Sequence, residues 1–341
     1  MNVSVLDSPD VSCDNFVRSI AEAKLCHLPE WTVMIERIFG HKGHYLVAHE
    51  NGSICGVLPL THIRSKLFGN RFVSQPFCDY GGPLVRNSTA LDALYEHAIE
   101  LANSNDCETI EFRNTAAMPY EMYLRTDKVC LLLPLACNSE DVWKGLRPQI
   151  RNRIRRAEKS GVTVINGQHE LLDDFYRLWT TRMRELGTPC YSRKLFGAIL
   201  DTFSNNSRIF IAHSNGKVAA ALFSYAFNGC ALTRWGAALR EYDSLSPNYL
   251  LNWSAVEFYC RAGMKWFDFG RCTTGSGQHA FKKRWGAQTV QLNWQYWIRP
   301  GHELHIPMQD SIKYKNKTEI WKRLPLWMTR FLGPHISRNL P

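Results

Sequence analysis

His44-Tyr-Leu-Val-Ala-His-Glu-Asn-Gly-Ser-Ile-Cys-Gly-Val-Leu58 returns 164 residues later as Arg208-Ile-Phe-Ile-Ala-His-Ser-Asn-Gly-Lys-Val-Ala-Ala-Ala-Leu222. Ala48/Ala212, His49/His213, Asn51/Asn215, Gly52/Gly216 and Leu58/Leu222 are identical. Each copy reads as apolar strand, Asn-Gly turn and apolar strand, and Asn-Gly favours a type I′ hairpin because both residues tolerate positive φ. The flanks repeat too. Two helical stretches precede each hairpin; more strand, a helix and a further strand follow it. The following helices are expected over 89–104 and 248–262, where Leu91, Leu94, Ala98 and Leu101, then Leu251, Ala255 and Phe258, recur at helical spacing. The strands after them are expected at 109–113 and 266–271. One order of elements met twice predicts a duplicated α/β domain with mixed sheets flanked by helices.

The expected boundaries are 1–138 for the first domain, 139–298 for the second and 299–341 for a C-terminal tail. Residues 131–135 read as a closing strand between the copies. A helix is expected over 139–160, with Ser139 as cap, Glu140 and Asp141 in its first turn and Gly161 at its end. Pro148 should kink or split it.

Charge divides along the same line. The 341 residues carry a net +10, but up to Glu140 there are 11 basic and 17 acidic residues, and from Asp141 onward 30 basic and 14 acidic. An anionic partner held mainly by the basic stretch after Glu140 is expected. Apolar content of 45% excludes a disordered chain. No stretch approaches the ~18–20 apolar residues of a membrane span, and the N-terminus has no basic region or apolar signal core, so a cytosolic chain is expected. Eleven scattered cysteines without a Cys-x-x-Cys pair read as reduced thiols, not a zinc or disulfide framework.

Four motifs fail on context. Asp268-Phe-Gly270 lacks the catalytic loop of a kinase. Gly275-Ser-Gly277 lacks the spacing and the Lys-Ser/Thr of a phosphate-binding P-loop, and His302-Glu-Leu-His305 is one residue short of the helical zinc pair. No Gly-x-Ser-x-Gly nucleophile turn exists.

A hairpin, a helix and a late strand in a mixed α/β unit resemble the acyl-CoA N-acyltransferase (GNAT) domain. That family holds coenzyme A pyrophosphate on an Arg/Gln-x-x-Gly-x-Gly/Ala turn at a helix N-terminus. Neither copy has it: the helices are entered through Val85-Arg-Asn-Ser-Thr89 and Tyr242-Asp-Ser-Leu-Ser-Pro-Asn248. The duplication, the basic Ile150-Arg-Asn-Arg-Ile-Arg-Arg-Ala-Glu-Lys-Ser-Gly161 stretch and Phe281-Lys-Lys-Arg-Trp-Gly286 resemble the Fem (FemAB/FemX) aminoacyltransferases. Within them, residues 31–43, Val57-Leu-Pro-Leu60, Ser74-Gln-Pro-Phe-Cys-Asp-Tyr-Gly-Gly82, Arg184-Glu-Leu-Gly-Thr-Pro189 and Phe267-Asp-Phe-Gly-Arg271 look like the Fem-like proteins of exosortase/PEP-CTERM and exopolysaccharide systems. The resemblance spans about 31–297. It implies tandem GNAT-like domains and transfer of an aminoacyl group from charged tRNA to an amine on a cell-envelope precursor. It also implies a tail that packs back on the first domain.

Amide formation from an activated ester needs an aligned amine and a stabilised oxyanion and leaving alkoxide, so positioning plus a fixed positive charge can suffice. Lys282 is the candidate for that charge, placed after Phe281 in a loop between strands expected at 266–270 and 289–297. In the Fem family a lysine after phenylalanine here acts near the reacting groups; the alternative is a solvated basic loop with Lys283 and Arg284. The family also holds the precursor's phosphate with an arginine of the helix opening its second domain. Here that helix is expected over 171–186, its buried face formed by Leu172, Phe175, Trp179, Met183 and Leu186. Arg182 lies beside that face and Arg184 points away, against the alternative of an ion-paired structural Arg182. The family's first-domain lysine has no clear match, since Arg37 and Lys42 stand at the wrong spacing, which leaves room for an amino sugar or another amine as acceptor.

Asp79 and Asp268 are candidate bases or acceptor ligands, against turn-shaping for Asp79 and pairing with Arg271 for Asp268. Trp235 and Tyr191 either line a cleft or belong to the core. Arg151 and Arg155, in a helix that also carries Arg147, Arg153, Arg156 and Lys159, join Lys283 as candidates for RNA phosphate; a solvated linker helix is the alternative. Residues 320–332, with Trp321, Leu324, Trp327 and Phe331 beside Lys322, Arg323 and Arg330, either rest peripherally on an anionic membrane or pack on the acidic first domain. No metal is expected, and no cofactor beyond an aminoacyl-tRNA or acyl-CoA donor. Three functions stand: a Fem-like acyltransferase on an envelope or exopolysaccharide amine, an acyl-CoA-dependent N-acyltransferase on an amino sugar, and a non-catalytic RNA- or polysaccharide-binding module.

Overall fold

The structure, a computed structural model, describes residues 1–6, 10–66, 68–304 and 312–340, with side chains in the last stretch from 316. His305, of the rejected histidine pair, lies outside the described residues. Along the chain run β1 (Asn2–Leu6), α1 (Val11–Ser19), α2 (Pro29–Phe39), β2 (Lys42–Glu50), β3 (Ser53–Ser65), β4 (Gly69–Val73), β5 (Leu84–Val85), α3 (Ser88–Ser104), β6 (Thr109–Asn114) and β7 (Tyr123–Arg125). Then come β8 (Lys128–Pro134), α4 (Ser139–Gly145), α5 (Pro148–Lys159), β9 (Thr163–Gly167), α6 (Leu172–Leu186), α7 (Arg193–Thr202), β10 (Ser207–Ser214), β11 (Lys217–Phe227) and β12 (Cys230–Ala238). The rest are α8 (Pro247–Arg261), β13 (Trp266–Thr273), α9 (Gly277–Arg284), β14 (Gln288–Gln291), β15 (Asn293–Ile298), α10 (Ile312–Arg323) and α11 (Leu326–Ser337).

The repeat is real down to its irregularities. Asn51 and Gly52 have φ of 49° and 78°, Asn215 and Gly216 50° and 73°, as the two hairpin turns require. The β2–β3 register slips by one residue between Ala48 and His49, and the β10–β11 register slips between Ala212 and His213. Both copies run helix, helix, hairpin, strand, helix, strand. In each, the strand after the hairpin pairs in parallel with the strand after the helix over only three residues.

Two compact units result: Met1–Lys128, Gln291–Ile306 and Arg338–Pro341 form unit 1, and Val129–Val290 with Pro307–Ser337 form unit 2. The unit 1 sheet has the order β1-β2-β3-β4-β6-β15-β7, with β5 on β3; that of unit 2 is β14-β8-β13-β12-β11-β10-β9. The core of unit 1 gathers Leu46, Leu58, Phe72, Leu94, Ile110 and Phe112, and that of unit 2 Leu131, Ile154, Phe210, Leu251, Phe267 and Trp285. Among the described residues no helix is long and apolar enough to cross a membrane. All eleven cysteines are free and only Cys137 is exposed.

Several expectations are corrected. The closing strand of the first copy, β8, lies in the unit 2 sheet, so the expected boundary at residue 138 falls inside unit 2. The single strand expected at 289–297 is two strands: β14 stays in the unit 2 sheet and β15 enters the unit 1 sheet between β6 and β7. Pro148 splits the basic helix in two, one of the two outcomes expected for it, and takes the first position of α5 where its missing N–H costs nothing. Asn138, not Ser139, caps α4 through the Asp141 N–H at 2.9 Å. Leu186 is exposed rather than on the buried face of α6.

The tail also departs from expectation. α10 and α11 belong to unit 2, and only 338–341 belong to unit 1. The buried residues of α11 are Thr329, Gly333 and Ser337. Ser337 Oγ donates to the Cys190 carbonyl at 3.0 Å, and Arg330 Nε donates to Thr180 Oγ1 at 2.9 Å. A Cβ on Gly333 would sit 2.8 Å from Cys190 Sγ and 2.9 Å from its backbone nitrogen. Only a small-residue face approaches this closely, so the aromatic face points elsewhere.

Candidate functional site

The unit 2 sheet comes apart at one level. β12 and β13 pair at Cys230/Trp266, Ala231/Phe267 and Leu232/Asp268. Beyond Leu232, β12 runs on to Ala238 against β11, and β13 runs on to Thr273. Two residues past the last pair both strands are distorted. Arg234 is the extra residue of a bulge, Phe223 facing Trp235 and Ser224 facing Thr233, and Gly270 turns left-handed at φ 72°. Bulges re-aim side chains and end pairing; here the distortions splay the parallel strands into a wedge.

The distortion in β13 is held by polar groups from both sides. Asp268, fully buried, accepts the Gly270 N–H at 2.8 Å, and Thr233 Oγ1 donates to the Asp268 carbonyl at 3.1 Å. Lys282 Nζ donates to the carbonyls of Gly270 at 2.7 Å and Arg271 at 3.0 Å. Lys282 is half-buried, and it is on a helix, not in the expected loop. Ser276 caps α9 by accepting the His279 N–H at 3.2 Å, and Phe281 and Trp285, four residues apart, face the same way. Tyr249 of α8 meets Phe281 edge-on at 5.2 Å and stacks on Trp285 at 6.2 Å. This packing sets the direction of Lys282, the next residue after Phe281.

On β12, Trp235 is buried with Phe196 at 5.2 Å and Phe223 at 5.7 Å, both edge-on. Its indole N–H finds no partner among the described residues. Phe196 continues to Trp179 at 5.1 Å, and Tyr191 stacks on Trp179 at 6.0 Å. Trp235 and Tyr191 therefore belong to one aromatic wall. Tyr191 is half-buried at its end.

Unit 1 closes the equivalent place with its own chain. After β4, Ser74 N donates to the Glu111 carbonyl at 2.8 Å and Arg113 N to Ser74 Oγ at 2.8 Å, tucking the 74–82 turn against β6. Arg113, fully buried, pairs with Glu111 at 2.8 Å and donates to the carbonyls of Gln75 and Cys78. Asp79 is fully buried inside this turn, its carbonyl accepting the Trp294 indole N–H at 3.2 Å. These contacts suit the turn-shaping role weighed for Asp79.

The remaining candidates have the following surroundings. Arg182 is paired with Glu185 at 2.7 Å, whereas Arg184, expected to point away, buries its Nε without a partner among the described residues. On α5 the face Ile150, Ile154 and Ala157 is buried. Arg155 lies over the Trp143 ring at 5.6 Å, beside a cleft of about 420 Å³ between α4, α5 and α8. Arg151 is half-buried and Lys283 exposed. No cluster of three metal-ligating side chains occurs among the described residues. Lys282, Arg271, Asp268 and Phe281 are thus brought together; Gly270, the Arg234 bulge, Tyr249 and Trp285 complete the group. A glycine inside a strand pattern was the available signal for the kink.

Residues 144–283, which end just past Lys282, match the acetyltransferase (GNAT) domain family. No curated protein matches the chain in sequence. Among solved structures, FemX is similar at 15% identity and a TM-score of 0.68, over 88% of this chain and 98% of FemX. A conserved protein of unknown function from Bacteroides thetaiotaomicron VPI-5482 aligns at 11% identity and 0.61, over 87% and 100%. L-PGS from Bacillus licheniformis aligns at 11% and 0.55, over 94% and 99%. At these identities the likeness establishes the fold. The chain has the mixed α/β fold of FemX, and its match to an acetyltransferase (GNAT) domain supports acyltransferase activity.

Proposed function

We propose that the protein is a Fem-like acyltransferase that moves an aminoacyl or related acyl group onto an amine of a cell-envelope or exopolysaccharide precursor. The observation that carries this is the splayed β12–β13 pair with the Lys282 ammonium anchored at its kink. The diverging strands frame a place where an amide- or ester-bearing chain can lie alongside backbone polar groups. The amine nitrogen attacks the ester carbonyl carbon; the C–N bond forms, the C–O bond breaks, and the amine proton passes to the leaving alkoxide. Lys282 supplies a fixed positive charge beside the oxyanion and alkoxide, worth most where water is excluded.

The entrance to α8 favours an aminoacyl ester over coenzyme A. The residues before it form a tight turn, Arg240–Leu245, carrying Glu241 and Asp243, and Ser246 takes φ 59°. The glycine-rich pyrophosphate turn is missing here, and Glu241 and Asp243 stand with Arg240, while Arg153 Nη1 donates to Ser246 Oγ at 3.5 Å. Fold likeness to FemX and L-PGS supports the same donor class. The match to an acetyltransferase domain favours a second reading, acyl-CoA-dependent N-acylation of an amino sugar.

Purified protein incubated with charged tRNAs and amine acceptors, including amino sugars, should transfer the aminoacyl group. Tight calorimetric binding of acetyl-CoA with no transfer from tRNA moves the assignment to the second reading. Inertness with every donor, together with steeply salt-dependent RNA binding, marks a non-catalytic module.

A further inference from the structure

α11 is inverted relative to an ordinary amphipathic surface helix. Its buried face is Thr329, Gly333 and Ser337, spaced four apart. At about 100° per residue, Trp327, Phe331 and His335 centre roughly 160° from that face. Trp327 is 68% exposed and Phe331 66%, with Leu332 at 37% on the flank and Ile320 of α10 at 64%. Large apolar side chains four apart, at this exposure, mark an interaction surface rather than ordinary surface scatter. Burying both aromatics would remove more apolar area from water than the small-residue face does.

The charge around them selects the partner. From 312 to 337 the sequence holds Lys313, Lys315, Lys317, Lys322, Arg323 and Arg330 against one acid, Glu319. Lys322 is paired with Glu319 and Arg330 is tied inward to Thr180. Lys317 and Arg323 are exposed and form no ion pair among the described residues. An aromatic edge flanked by cations suits the headgroup boundary of an anionic bilayer, where rings sit at the acyl interface and cations among lipid phosphates.

We infer that α10–α11 is a peripheral membrane-binding element, seating Trp327 and Phe331 in an anionic lipid surface. This stands independently of the reaction assigned above, since it rests on exposure and charge alone.

The full chain should co-sediment with vesicles of phosphatidylcholine and phosphatidylglycerol at 3:1, and at least about tenfold less with pure phosphatidylcholine. The Trp327→Ser/Phe331→Ser variant should lose at least about tenfold in partition, and Lys317→Gln/Arg323→Gln roughly as much. Both pairs are exposed, so an unchanged melting temperature should accompany each loss. Absence of wild-type protein from the 3:1 pellet overturns the inference, as does binding that survives both variants. A dimer in sedimentation velocity that the aromatic variant dissociates, without vesicle binding, also overturns it and assigns the face to a second copy.

Discussion

Replacing Lys282 with Met keeps the length of the side chain and removes its charge and three donors. The Gly270 and Arg271 carbonyls, 2.7 and 3.0 Å from Nζ, lose an ammonium partner. A hydrogen bond to a charged group contributes ~1.5–3 kcal/mol when sealed from water. Lys282 is half-buried, so water can reach some of the vacated site and ~1–2 kcal/mol in total is the expected loss. For a domain the size of unit 2 this lowers the melting temperature by roughly 3–6 °C. Loss of a preorganised charge beside a developing oxyanion costs about 10²-fold in rate. Steady-state transfer from charged tRNA to an amine, with a melting curve on each sample, separates the two effects. Lys282→Arg should restore much of the stability and little of the rate, because a planar fork cannot place one point charge at the same atom. If Lys282→Met melts as expected yet keeps kcat/KM within threefold, Lys282 only props β13 and leaves the mechanism.

Three further outcomes follow from packing and titration. Gly333→Ala should destabilise the α11 seat by ~1–3 kcal/mol, because the new Cβ would lie 2.8–3.1 Å from three atoms of Cys190; unchanged proteolysis at 324–340 would count against this packing. Arg113→Leu should cost ~3 kcal/mol or more, since Glu111 is left buried without its partner; a loss under 1 kcal/mol in chemical denaturation would contradict that accounting. Burial, then the neighbouring Lys24, pushes the pKa of His27 down to about 4, and its neutral Nδ1 accepts the Lys24 N–H at 2.9 Å. The unfolded chain takes up that proton near pH 6.5 and the folded chain only near 4. Stability from His27 is therefore full above 6.5 and falls by up to ~1.4 kcal/mol per pH unit as pH drops through that window. The slope should flatten in His27→Gln, and an unchanged slope in denaturant titrations sinks the assignment.

Much of the fold is legible because its signals are local. The Asn-Gly turns, the helix periodicities at 89–104 and 248–262 and the break at Pro148 each depend on residues within a few positions of one another. Even the missing pyrophosphate turn could be read before α8. The candidate site was less fully legible. Lys282 and Asp268 stood out by residue type, but the kink that joins them is a backbone event at Gly270. The α9 helix was hidden by its shortness, although Ser276 and the Phe281–Trp285 spacing announce it. Asp79 reads as a polar turn residue, and its burial comes from Arg113, 34 positions later.

The duplication, the hairpins, the charge division and the residue types available for acyl transfer were decided by the sequence alone. Tertiary structure decided three other things: which sheet receives β8 and β15, which copy keeps a splayed strand pair, and which face of α11 is buried. Strand pattern reports what a segment can pair with, not with whom, because the same alternating apolar face fits any compatible sheet edge. Amphipathicity likewise ranks faces by hydrophobicity, whereas close backbone packing selects by size. At Cys190 the space beside the chain admits Gly333 and excludes a ring, so the small face went in and the aromatic face stayed out.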